Sequence, residues 1–177
     1  MTPKEAQQKL RKRLADIERV RNSDVPRIIR EEALNHYEQS FQVEGKIDDT
    51  VQPWPEVKRR DPKSPWYGFS LGATSPRPGS KKTGKKTNFS PTRAQDKILT
   101  GETNELKNSL TGTIKPDRVT ISSDKPYSRV HNFGGKAYIF GKKEFTMKAR
   151  QFIYPSALLN RNIREKIVQT LKQKNLL

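Results

Sequence analysis

The sequence predicts an α+β protein: a small, mostly antiparallel sheet packed with N-terminal and C-terminal helices, plus a long Pro/Lys-rich loop or arm. Three observations predict it. Apolar residues recur at helical spacing near both ends of the chain, short alternating runs lie between residues 111 and 122, and the order helix, helix, arm, helix, strands, helix contains no βαβ alternation that would indicate a parallel sheet. The expected organisation is one domain over residues 1–177, with a helical start at 1–45, the arm at 51–92 and an α+β core at 98–177.

In TPKEAQQKLRKRLADIERVRN, Thr2 suits an N-cap, Pro3 the first helical position and Glu5 the reciprocal position of a capping box. Leu10, Leu14, Ile17 and Val20 follow at helical spacing, with Lys and Arg on the other face. A second helix is expected to start at Asp24, with Pro26 in its first turn, Ile29, Ala33, Tyr37 and Phe41 on one stripe, and Gly45 as its stop. Both stripes read as core.

After residue 51 the character changes. Seven of the twelve prolines lie between Pro53 and Pro91, and GSKKTGKKTNFSPTR adds glycine, serine and four lysines, which disfavours continuous helix or central strand. Loops this long are usually functional or disordered. Trp54, Trp66, Tyr67 and Phe69 nevertheless favour burial against something, another subunit being one candidate. Regular structure resumes with a short helix over 102–110 carrying Leu106 and Leu110. TGTI and RVTIS then read as half-buried strands of a hairpin turned by Lys-Pro-Asp. EFTMKARQFIY reads as a second β-rich stretch, on which Arg150 and Phe152 would share a face. Ser156 caps a last helix with Leu159, Ile163, Ile167 and Leu171 on its stripe.

Lys and Arg number 36 against 19 acidic residues, a net charge of +17 that favours a polyanion, an acidic protein surface or membrane headgroups as neighbour. Hydrophobic residues make up 31%, and the ten glycines do not raise the apolar share to the roughly 45–50% of an average globular chain. A sizeable part of the chain is therefore expected outside any core. The absence of cysteine excludes disulfides and thiolate chemistry. No long apolar run and no leader-like start occur, so the expectation is a soluble protein with no membrane partner and no cleaved leader.

The stretch KPYSRVHNFGGKAYIF places His131 three residues before Gly134-Gly135. The two histidines, His36 and His131, have no partners at metal-ligand spacing. A triad of Ser122 or Ser128 with His131 and Asp124 can be drawn, but no nucleophile-elbow pattern frames it. FGGK lacks the four-residue gap of a P-loop, and the glycines read better as positive-φ residues of a turn. No catalysis and no cofactor are expected. Arg77, Lys81, Lys82, Lys85, Lys86 and Arg93 form a candidate interface or phosphate arm, which would contact phosphate without reading sequence or stand as a solvated loop.

Three blocks stand in a recognisable order: ILTGETNELKNSLTGTI, then VTISSDKPYSRVHNFGG, then MKARQFIYPSALLNRNIREKIVQTL. Together they resemble the phage virion-morphogenesis family, the tail-completion or neck proteins of Mu-like contractile-tailed phages. Ile98, Leu99, Thr100, Gly101, Leu106, Ser109, Tyr127, His131, Gly134, Gly135, Ala149, Arg150 and Phe152 occupy positions matching the family pattern. The longer step from Gly101 to Leu106, Ser128 in place of alanine and Lys148 in place of proline depart from it. The resemblance implies a virion structural protein, synthesised in the host cytoplasm, that forms a homo-oligomeric ring at the head-proximal end of the tail. The ring is implied to be hexameric, with tail tube or sheath proteins and head-completion or connector proteins as partners and DNA as a passing contact. It also implies that Gly101, Leu106, Tyr127, His131, Gly134, Gly135, Arg150 and Phe152 form a fold and assembly motif. The alternative is a basic nucleic-acid-binding accessory protein without sequence specificity.

Overall fold

The computed structural model describes residues 2–79, 87–101, 103–139 and 143–177. It opens with α1 (Pro3–Arg19), a π-helical turn at Val20–Asp24, and α2 (Val25–Val43). The capping box forms as expected: Thr2 Oγ1 accepts from the Glu5 amide at 3.3 Å, and Glu5 Oε2 accepts from the Thr2 amide at 2.8 Å.

Of two expectations for this region, one is met and one is corrected. The second helix starts where expected, with Asp24 as its N-cap and Pro26 in its first turn, but the chain enters it through the π turn without leaving the right-handed helical region. Pro26 has no N–H, and its ring crowds the carbonyl four residues back; the wider turn, closed by the Val25 amide on the Val20 carbonyl, accommodates both. The α1 stripe is not core. No residue of α1 is buried, and Leu10, Leu14 and Ile17 remain 61%, 54% and 41% exposed. Burial begins at Val20 and Asp24.

The α2 face carries the main packing. Ala33, Tyr37 and Phe41 meet Trp54, Ile98, Leu106, Leu110, Phe152, Tyr154 and Leu159 in one cluster. The Phe41 ring packs edge-on against Trp54 at 5.6 Å and tilted against Phe152 at 5.4 Å. Polar groups inside bridge α2 to the segment before the last helix: Tyr37 donates to the Tyr154 carbonyl at 3.0 Å, and Ser40 Oγ lies 3.0 Å from the Tyr154 hydroxyl, while the buried His36 Nε2 has no partner among the described residues. Asp24 accepts from Lys174 Nζ at 2.7 Å, tying the end of the chain back to the π turn. That bond holds the Asp24 carboxyl below its usual range.

α+β is the observed class, with the strands among the described residues in three separate antiparallel pairs. They are β1 (Gly45–Ile47) with β2 (Val51–Pro53), β3 (Leu110–Lys115) with β4 (Arg118–Ser123), and β5 (Gly135–Ile139) with β6 (Lys143–Met147). The expected hairpin is present, Leu110 facing Ser123 and Lys115 facing Arg118 around Pro116-Asp117. Short helices α3 (Pro91–Gln95), α4 (Glu105–Asn108) and α5 (Ser128–Phe133) precede α6 (Ala157–Gln173). The helix expected over 102–110 is confined to α4, and Glu102 lies outside the described residues. Ser156 caps α6 through the Leu159 amide at 3.1 Å, and Asp48 accepts from the Leu158 amide at 2.8 Å.

The arm is anchored to its own chain. Trp54, expected to seek burial against something, lies in this chain's own core and donates its indole N–H to the Gln151 carbonyl at 2.9 Å. Trp66 packs edge-on against Phe69, and Tyr67 lies 5.7 Å from Phe89. A bridge joins Phe69 to Phe89. Gly68 is required there: its φ is 55°, and a Cβ would stand 2.4 Å from the Phe89 ring.

The second β-rich stretch ends at Met147, so Arg150 and Phe152 lie in irregular backbone. Asn132 replaces the missing strand partner. Its Oδ1 accepts from the Phe152 and Ile153 amides at 2.9 Å each, and its Nδ2 donates to the Ile153 carbonyl at 3.1 Å.

Candidate functional site: an arginine-lined pocket

A cavity of about 280 Å³ opens where the arm, α3, α4 and α5 meet. Five motif residues line it: Gly101, Leu106, Tyr127, His131 and Arg150. Arg59 and Arg93 join them, so three arginines line one space.

Arg150 is buried. Its Nε donates to the Pro55 carbonyl at 2.8 Å and its Nη2 to the Glu56 carbonyl at 3.1 Å, so its partners are arm carbonyls. Burial lowers its pKa. Phe152 is fully buried against Phe41. Arg59 has a similar role at the arm's other contact, with Nε on the Arg93 carbonyl at 3.2 Å and Nη2 on the Asp96 and Lys97 carbonyls at 2.7 Å. Burial, then repulsion from Arg93 and Arg60, pulls the Arg59 pKa down to about 10. Arg60 pairs with Glu44, whose carboxylate also takes the Ile98 amide at 2.7 Å. These arginines fasten the arm to the start of the motif region.

His131 works through its backbone. Its amide donates to the Tyr127 carbonyl at 3.2 Å and its carbonyl accepts from the Arg150 amide at 2.8 Å, while the buried Nδ1 has no partner. Burial, with Arg150 nearby, lowers the His131 pKa. The Tyr127 ring stands edge-on to it at 5.7 Å, and the Tyr127 hydroxyl donates to Glu105 at 3.2 Å. Gly134 and Gly135 have positive φ, 72° and 126°, as the turn requires; a Cβ on Gly134 would sit 2.9 Å from the Met147 carbonyl oxygen. Gly101, at φ 60°, turns the chain at the pocket rim.

Of the candidate phosphate arm, Arg93 reaches the pocket and pairs with Asp96 at 2.9 Å. Arg77 donates to the Pro65 and Tyr67 carbonyls, stapling the arm. Lys81, Lys82, Lys85 and Lys86 lie outside the described residues. Among the described residues no His, Cys, Asp and Glu group could hold a metal ion, and no helix is long and apolar enough to cross a membrane.

The profile of the phage virion morphogenesis family matches residues 74–172, more than half of the chain. The chain belongs to the phage virion morphogenesis family. It is thus a structural protein of phage virions. The family match takes in every motif residue of the pocket, together with Arg93 and Glu105, and leaves α1, α2 and Arg59 outside. Among curated proteins and among solved structures, nothing matches the chain significantly.

Arg59, Arg60 and Asn132 are site residues that sequence reasoning missed. The two arginines stand in a proline-rich run that reads as solvated loop, and only their adjacency to Trp54 hints at a buried role.

Proposed function

We propose that this virion morphogenesis protein assembles as a homo-oligomeric ring, six subunits as the family resemblance implies, at the head-proximal end of the tail. There it ends tube growth and presents the surface that joins the filled head. The observation that carries this reading is α1. A capped helix of 17 residues with none buried leaves an apolar stripe unpartnered, which suits a subunit completed by its neighbours. Head-to-tail contacts of one kind close into a ring when the rotation between copies closes. The motif residues then serve as scaffold, with Arg150, Gly134 and Asn132 holding the segment that leads into α6. No reaction is assigned to them.

Sedimentation and negative-stain imaging of the purified protein, alone and with tail tube protein, test the reading. A closed ring is expected; a monomer under both conditions contradicts it. The accessory DNA-binding reading rests on net charge, and of its described arm residues Arg77 is engaged internally.

A further inference from the structure

Two of the pocket's three arginines, Arg59 and Arg150, carry charge that no carboxylate among the described residues pairs with, whereas Arg93 is paired with Asp96. Carbonyl groups hold Arg59 and Arg150 in place, but a carbonyl is a dipole and leaves the net charge standing. Among the described residues neither arginine forms a salt bridge, and neither Nη1 has a protein acceptor. Among the described residues the one lining carboxylate is Glu105, which accepts from the Tyr127 hydroxyl and lies 3.9 Å from Lys125. Val57, Leu99 and Leu106 give the same cavity an apolar wall.

We propose that this pocket binds an acidic side chain of another polypeptide, its carboxylate facing Arg59, Arg93 and Arg150 and its methylene stem lying on Val57, Leu99 and Leu106. Guanidinium groups with unused N–H arms recognise carboxylates through charge-assisted bonds. The apolar wall selects a carboxylate on a hydrocarbon stem over a duplex phosphate, which is tied to sugar on both sides and approaches along a surface. Carbonyl anchoring also fixes the guanidinium groups before the ligand arrives, which lowers the ordering cost of binding. That the partner is a virion protein rests on the reading above; the preference for a carboxylate does not.

The test uses the full chain, a fluorescent hexaglutamate peptide and a short fluorescent DNA duplex at physiological salt. Anisotropy reads binding, and the His131 imidazole resonances report whether the ligand is in the pocket. The peptide is expected to bind saturably and to raise the His131 pKa, since a nearby negative charge favours imidazolium. Arg93→Gln, which removes no carbonyl anchor but leaves Asp96 unpaired beside Arg59, should weaken the peptide about tenfold, whereas Arg129→Gln, at an exposed site outside the pocket, should weaken it less than about twofold. Equal weakening by both variants, peptide binding that leaves His131 unmoved, no binding, or a duplex that moves His131 in place of the peptide overturns the proposal. The His131 readout needs no variant, so misfolding of Arg93→Gln does not blunt it. Sedimentation of the same samples reports ring formation separately.

Discussion

Asn132 shows how one side chain can replace a length of β-ladder. Its amide satisfies two N–H groups and one carbonyl of the segment carrying Phe152. Asn132→Ala should therefore lower the unfolding free energy by about 2–4 kcal/mol, from unmade buried bonds at about 1–3 kcal/mol each, while exposed Asn108→Ala should stay within about 0.5 kcal/mol. Urea denaturation reads both. Arg150→Lys keeps the charge but not the planar fork on the Pro55 and Glu56 carbonyls, so it should cost about 1–3 kcal/mol, visible as a lower Tm. The histidines set a pH dependence of definite sign. Burial lowers the pKa of His131, with Arg150 adding to it, and of His36, where burial outweighs the pull of Asp48. The unfolded chain thus binds more protons as pH falls below about 6.5, so their contribution to stability is complete above that value and is lost toward the folded-state pKa. Tm should decline from about pH 7 to about pH 5.5, and His131→Gln should flatten the decline. The depressed carboxylates of Asp24, Glu44 and Asp48 act in a lower window, their stabilisation being lost only as pH falls below about 4.5.

At the scale of elements, α1 is where folding and the proposed assembly can be tested apart. It is stabilised by its own capping box and by continuity with α2, while its apolar stripe contributes nothing to the core. Leu10→Ser combined with Leu14→Ser should leave circular dichroism and Tm near those of the parent and abolish the higher-order species in sedimentation. The parts of this architecture legible in the sequence are those with local causes. The capping box at Thr2, the 110–123 hairpin around Pro116-Asp117 and the glycine turn after α5 depend on neighbouring residues, and each is present. The parts that were not legible depend on distant partners. Pro26 marks the start of α2, but nothing beside it in sequence tells that the chain arrives there through a widened helical turn. Leu10 and Leu14 have the same spacing whether they face a core or another molecule. Arg59 becomes a pocket residue only when carbonyls 34 to 38 positions away fold onto it. Trp54 likewise finds its acceptor 97 residues away.

The whole molecule combines a +17 charge with an unpartnered apolar helix face, and the two respond to salt in opposite directions. Salt screens the repulsion between like subunits, so self-association through α1 should strengthen as ionic strength rises, whereas association with DNA should weaken steeply. Ring formation matters to the phage only if it acts at the tail end, and electron microscopy of lysates made without this protein tests that most directly. Filled heads and unjoined tails are predicted to accumulate, with added wild-type protein restoring joined particles and the Leu10→Ser/Leu14→Ser variant failing to do so. Normally joined virions of regular tail length in the absence of the protein would contradict the account.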